Sequence, residues 1–157
     1  MTFDPHFRFY SDGHAPTGAA PDDAFWPALR RELGEEMERR RASYPKLVSK
    51  VRMNRDTADR ELRVWRAIAA SVAAIPATGV APATWSEMVH ALRREIALRR
   101  KFYPQWILDR AIDADDAERK LSLVEAWHDY LWHDCGGAEG AAARAERLRL
   151  LDQPRAA

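Results

Sequence analysis

The stretch WPALRRELGEEMERRRASYPKLVSKVRMNRDTADRELRVWRAIAASV, residues 26–72, decides the fold, because residues 85–131 repeat its pattern 59 positions later without a gap. The second stretch reads WSEMVHALRREIALRRKFYPQWILDRAIDADDAERKLSLVEAWHDYL, and twelve of the 47 aligned positions are identical. The identities include Trp26/Trp85, Leu33/Leu92, Glu36/Glu95, Arg40/Arg99, Arg41/Arg100, Tyr44/Tyr103, Pro45/Pro104, Asp56/Asp115, Ala58/Ala117 and Arg60/Arg119. So many matches around a shared Tyr-Pro read as a tandem duplication, and a repeat sets architecture before any motif does.

Within each unit the apolar residues follow a helical period. Leu29, Leu33 and Met37, with Tyr44 two turns on, fall on one helix face, as do Met88, Leu92, Ile96 and Tyr103. Thr84 and Glu87 have the spacing of a capping box. Proline biases the residue before it away from helical geometry and suits a first helical position, so Pro45 and Pro104 are expected to start a second, short helix. Asn54 and Asp113 read as N-caps of a third. Its buried stripe is Ala58, Leu62, Trp65, Ile68 or Ala69, and Val72, matched by Ala117, Leu121, Val124, Trp127 or His128, and Leu131. The expected fold is all-α: one helical domain over 1–157, built from two tandem three-helix repeats joined by the charge-free linker 73–83. An irregular arm, 1–24, carries Phe3, Phe7, Phe9 and Tyr10, and 141–153 reads as a last helix.

Bulk properties narrow the class. The chain has 157 residues, 46% of them hydrophobic, enough for one core. No apolar run approaches the ~20 residues of a membrane span, the N-terminal residues lack a secretory pattern, and the lone Cys135 builds no internal disulfide. A cytoplasmic location follows as the expectation, with no membrane partner. The net charge is +1, but residues 26–72 carry twelve Lys/Arg against seven acids while 85–131 carry eight against nine. The first copy is basic and the second is not.

Reaction chemistry has little to stand on. The densest polar cluster, WHDYLWHDC at 127–135, offers His128, Asp129, His133, Asp134 and Cys135, but His128 and His133 are five apart rather than three or four. Surface histidines favouring a helix C-terminus are the better reading. No phosphate-binding glycine loop, HExxH or GxSxG occurs, so no catalytic residue, metal or cofactor is expected. The pairs Glu36–Arg40 and Glu95–Arg99 are i,i+4 and favourably oriented. With Arg41/Arg100, Asp56/Asp115 and Arg60/Arg119 they read as an Arg–carboxylate network bracing the turn between helices. The sharper alternative makes Arg39, Arg40, Arg41, Arg99, Arg100 and Lys101 a partner-binding surface, with Trp132 exposed beside it. Basic tracts next to Tyr44 and Tyr103 also suit nucleic acid, whereas Tyr44, Tyr103, Trp65, Trp106 and Trp127 fit core positions.

The pattern E-x-x-x-R-R-x-x-Y-P followed by Ala-Asp-Arg resembles a module of small uncharacterised phage and prophage proteins. Its residues here are Glu36, Arg40, Arg41, Tyr44, Pro45, Ala58, Asp59 and Arg60, and again Glu95, Arg99, Arg100, Tyr103, Pro104, Ala117, Glu118 and Arg119. Where the module usually has a glycine before its last helix, this chain has Lys50 or Val51, and Asp109 or Arg110. The resemblance implies a phage or prophage setting and no particular reaction. Small size, cytosolic character, the duplicated helical scaffold and the lack of an active-site motif add the expectation of a non-enzymatic accessory protein that binds a macromolecule, in the first place a protein, with a host-defence inhibitor of the anti-CRISPR type as one form. Nucleic acid is the alternative partner.

Overall fold

Each long helix has one apolar stripe to bury, and four such stripes close on one another. The computed structural model describes residues 2–10, 24–73 and 78–154. Among these are five helices and no strand: α1 (Phe25–Ser49), α2 (Arg55–Ser71), α3 (Trp85–Leu108), α4 (Ala114–Asp134) and α5 (Gly137–Leu151). Helix α1 packs on α2 and α4, and so does α3, which makes α1 and α3 diagonal in a four-helix bundle. Between them lie Leu29, Leu33, Trp65, Ile68, Val89, Leu92, Ile96 and Val124, all fully enclosed. Burial of each such aliphatic side chain contributes ~1.5–3 kcal/mol. Among the described residues no helix is long and apolar enough to cross a membrane.

The Tyr-Pro pairs do not divide the helices, contrary to the sequence reading. Pro45 lies inside α1 and Pro104 inside α3. Each proline removes one backbone N–H and crowds the carbonyl four residues back, a cost of ~3 kcal/mol in a free helix. Packing outweighs that bias here, because Tyr44 and Tyr103 are buried and hold the chain helical through the proline. The helices then end only four residues later, at Ser49 and Leu108. Each unit is therefore a hairpin of two helices rather than three pieces.

Positions 59 apart have the same backbone at the hairpin turns. Val51 N–H bonds to Val48 O (3.0 Å) and Arg52 N–H to Leu47 O (2.9 Å); Arg110 N–H bonds to Ile107 O (3.1 Å) and Ala111 N–H to Trp106 O (2.8 Å). This is the Schellman pattern, which needs a left-handed residue after the C-cap and normally uses glycine. Val51 (φ 55°) and Arg110 (φ 57°) occupy that position, the place where the sequence departs from the phage-type module. Asn54 and Asp113 then cap α2 and α4 through their side chains, as expected, and Thr84 with Glu87 closes the capping box of α3. Asp56 and Asp115 lie in the first turns of α2 and α4, facing the positive dipole end, so they take no part in bracing the turn.

Helix α5 begins four residues earlier than the sequence suggested. Gly136 has φ 91° and lies against the Trp85 ring, 2.8 Å from where a Cβ would stand, so only glycine fits there. Arg144 on α5 donates to Trp132 O (2.6 Å) and Cys135 O (3.2 Å), satisfying the C-terminal carbonyls of α4.

Residues 2–10 of the arm lie on the bundle; 11–23 and the linker residues 74–77 are outside the described residues. Phe3, Phe7 and Trp132 surround the Arg93 guanidinium, whose carbon is 5.2, 4.3 and 4.4 Å from their ring centres. Arg93 Nε donates to His128 Nε2 (2.9 Å), and His128 Nδ1 faces Asp129 Oδ1 at 3.0 Å. Two sequence expectations fail here. Trp132 and His128 are fully buried rather than exposed, because the arm covers the face they occupy. Burial pushes the Arg93 guanidinium down to about 10.

Two outcomes follow from this fold. Val51 is 91% exposed, so Val51→Gly relieves a left-handed β-branched residue without losing packing. It should raise unfolding free energy by about 1 kcal/mol, seen as a higher urea midpoint at unchanged slope. His128 must be neutral to accept from Arg93. Burial holds its pKa below the ordinary histidine value, with Asp129 opposing and Arg93 reinforcing the shift. Its contribution is therefore complete above the unfolded value of ~6.5 and is lost as pH falls from there through the folded value. Thermal unfolding should show stability dropping below that pH, with a shallower drop in His128→Gln.

Candidate functional site

The sequence period that buries Leu29, Leu33 and Met37 also turns Glu32, Glu36 and Arg40 inward, one residue earlier on each turn. On α3 the same register turns Glu95 and Arg99 inward. The result is a closed ring of charge on the bundle axis. Arg40 Nε binds Glu36 Oε1 (2.8 Å) and Arg40 Nη2 crosses to Glu95 Oε2 (2.6 Å). Arg99 Nε binds Glu95 Oε1 (2.7 Å) and Arg99 Nη2 crosses back to Glu36 Oε2 (3.2 Å). Glu32 Oε1 also accepts from Arg99 Nη2 (2.8 Å), and Lys120 Nζ from α4 reaches Glu32 Oε2 (3.1 Å).

Burial works against the charged forms of Glu36 and Arg99, and their ion pairs outweigh it. Burial raises the Glu36 pKa, but Arg40, Arg39 and Arg99 together hold it below the ordinary carboxylate value. Burial likewise opposes the charge of Arg99, and Glu95 and Glu32 raise its pKa above normal. Arg40 also donates to the Tyr44 hydroxyl and lies 4.3 Å over the Trp65 ring. These arginines are saturated with acceptors and aromatic faces.

Above the ring the bundle opens into a cleft of about 540 Å³. Its floor is Glu36, Arg40, Glu95 and Arg99, and its walls include Tyr44, Tyr103, Met53 and Ile112. Every one of these eight residues is paired with another at the 59-residue offset. One wall differs between the two hairpins. On α3, Leu98, Phe102 and Trp106 repeat every four residues and are all partly exposed, Trp106 at 45%. Phe102 stacks on Trp106 at 6.2 Å between centres, and Lys101 Nζ lies 5.3 Å from the Phe102 ring. The corresponding positions on α1 are Arg39, Ser43 and Leu47.

The residues singled out from sequence separate into groups. Arg40 is largely buried and Arg99 is 2% exposed, so neither presents a surface. Arg100 is held by Glu125 (3.3 Å) and by Arg8 O (2.7 Å). Arg39 and Arg41 are exposed but paired with Glu36 and Glu38. Lys101 remains at the surface, and Trp132 is enclosed. The Arg–carboxylate network therefore exists, but it ties two diagonal helices together instead of bracing a turn. Trp106, expected in the core, is a cleft wall. His128 and His133 do not converge, and among the described residues no three His, Cys, Asp or Glu side chains group as metal ligands would.

Unpaired charge collects elsewhere, at the hairpin turns. Lys46, Lys50, Arg52, Arg55 and Arg60 are all exposed around the α1–α2 turn, and among the described residues none of them is held in an ion pair. Comparison with protein-family models, with curated proteins and with solved structures returned no match.

Removing one partner from a buried ion pair leaves uncompensated charge, at a cost of about 3–5 kcal/mol. Arg99→Leu takes a cation from Glu32, Glu36 and Glu95 at once, leaving them only Lys120, Arg39 and Arg40, and should destabilise by about that amount in urea unfolding. Arg41→Ala, on the exposed side of α1, should leave the urea midpoint nearly unchanged.

Proposed function

We propose that this protein is a non-enzymatic binding module that docks an acidic protein partner at the open end of its bundle. The observation that carries this reading is the Leu98–Phe102–Trp106 stripe, an exposed aromatic wall opening into a cleft beside five unpaired cations. Exposed aromatics next to a pocket are the side chains that dominate protein interfaces. Two polar groups of the cleft are engaged within the protein. Ser43 Oγ faces its own helix, at 3.5 Å from Arg40 O, and Glu36 is held as an anion by arginines.

Two parts of the reading rest on sequence. The units 26–72 and 85–131 are taken as tandem duplicates; matched helix ends, Schellman turns, N-caps and the reciprocal ring at the 59-residue offset support it. The phage or prophage setting, with inhibition of host defence as one form, rests on the Tyr-Pro module. Nucleic acid is disfavoured as the partner, since most of the arginines in the two tracts are already committed to carboxylates.

Tagged protein captured from bacterial lysate, with and without nuclease, tests the reading. A bound protein should survive nuclease and be lost in the Phe102→Ser/Trp106→Ser variant. Binding that vanishes with nuclease, or that ignores the variant, would sink it.

A further inference from the structure

The two hairpin turns end on the same side of the bundle. Glu36 meets Arg99 and Arg40 meets Glu95, so α1 and α3 run parallel at equal heights, and Met53 and Ile112 from the two turns line one cleft. Their charges are opposite. Residues 46–60 carry five Lys/Arg and two Asp, a balance of +3. The matching residues 105–119 carry two Arg and five acids, Asp109, Asp113, Asp115, Asp116 and Glu118, a balance of −3. All of these charged side chains are exposed. The end of the bundle is thus a dipole, with an apolar cleft between a basic tip and an acidic tip.

We infer that the acidic partner of the basic tip is the acidic tip of a second copy of this chain, joined end to end about a two-fold axis. The inference rests on the docking reading above and names its partner. An unrelated acidic protein would satisfy the basic tip and leave the acidic tip facing a like charge. A second copy, rotated half a turn about an axis perpendicular to the bundle, sets each basic tip against an acidic tip, twice, with matched spacing. Apolar residues stand where that contact forms: Val51 at the basic apex is 91% exposed and Leu108 at the acidic apex 76% exposed. The strained conformation of Val51 places its side chain outward at this position. Contacts between exposed charges are screened over a Debye length of ~10 Å at 0.1 M salt, so the pair should loosen as salt rises.

Sedimentation equilibrium of the full chain tests this. The wild type should be a dimer at low salt and shift toward monomer with added salt. Variant A, Lys46→Glu/Lys50→Glu/Arg52→Glu, makes both tips acidic; variant B, Asp109→Lys/Asp115→Lys/Glu118→Lys, makes both basic. Each should be monomeric alone, with circular dichroism confirming the helices. An equimolar mixture of A and B should restore a dimer, an outcome that loss of folding cannot produce. The inference is overturned if the wild type stays monomeric at low salt, or if A and B dimerise as the wild type does. A monomeric wild type that still captures a nuclease-resistant protein through Phe102 and Trp106 would reject self-association and leave the docking reading standing.

Discussion

Two arginines and three glutamates at the centre of a small helical bundle are the constraint around which everything else is arranged. Taking one such ion out of water costs several kcal/mol even after relaxation. Every donor therefore needs an acceptor on a helix that arrives at the right height. Arg40 and Arg99 each bind a glutamate on their own helix and cross to the diagonal helix, Arg40 to Glu95 and Arg99 to Glu32 and Glu36. A slide of α1 against α3 by one turn would break both crossings together. Purely apolar stripes tolerate such slips more readily. The ring is accordingly a register device more than a source of net stability.

The ring also explains why the bundle opens where it does. Below it, Leu29, Leu33, Leu92 and Ile96 fill the interior. At the ring the interior is taken by guanidinium and carboxylate groups, which need planar partners and leave no room for interdigitating aliphatic side chains. Above it, Tyr44 and Tyr103 line the space, and the turns carrying Met53 and Ile112 do not fill it. A cleft with a charged floor and apolar walls results. Its floor is held by paired charges, and the two hairpins differ in the walls and the rim instead.

How much of this was legible in the sequence depends on how far each feature reaches. Caps at Asn54, Asp113 and Thr84 are local, and their spacing alone declared them. The apolar stripes are nearly local, and they too were readable. The Tyr-Pro break failed because a statistical bias of one residue gave way to the tertiary burial of Tyr44 and Tyr103. Glu36–Arg40 looked like an exposed pair worth a few tenths of a kcal/mol. Its burial became visible only through Glu32, a charged residue one position before Leu33 on the apolar face and 1% exposed. Trp132 and Trp106 exchanged their expected places. Trp132 is covered by an arm distant in sequence, and Trp106 lies past the ring, beyond the reach of the core.

The difference between the two hairpins has a physical logic. Positions in the ring are bound reciprocally, so a change at Glu36 or Arg40 disturbs Glu95 and Arg99 as well, and both hairpins carry the same Glu and Arg at the offset positions. Among the described residues no ion pair joins one tip to the other or to the ring. Outside the helix caps, charge at the tips can differ at little cost to the bundle, and it differs in opposite directions. Drift in two unconstrained loops gives no reason for one to gain lysine and arginine while its counterpart gains aspartate and glutamate. A contact that sets one tip against the other does, because the free energy of that contact rises with the charge difference between them. Holding Val51 in a left-handed conformation, where the same turn in other sequences takes glycine, has a small cost that the folded chain alone does not recover. An interface at the tips is where it would be recovered.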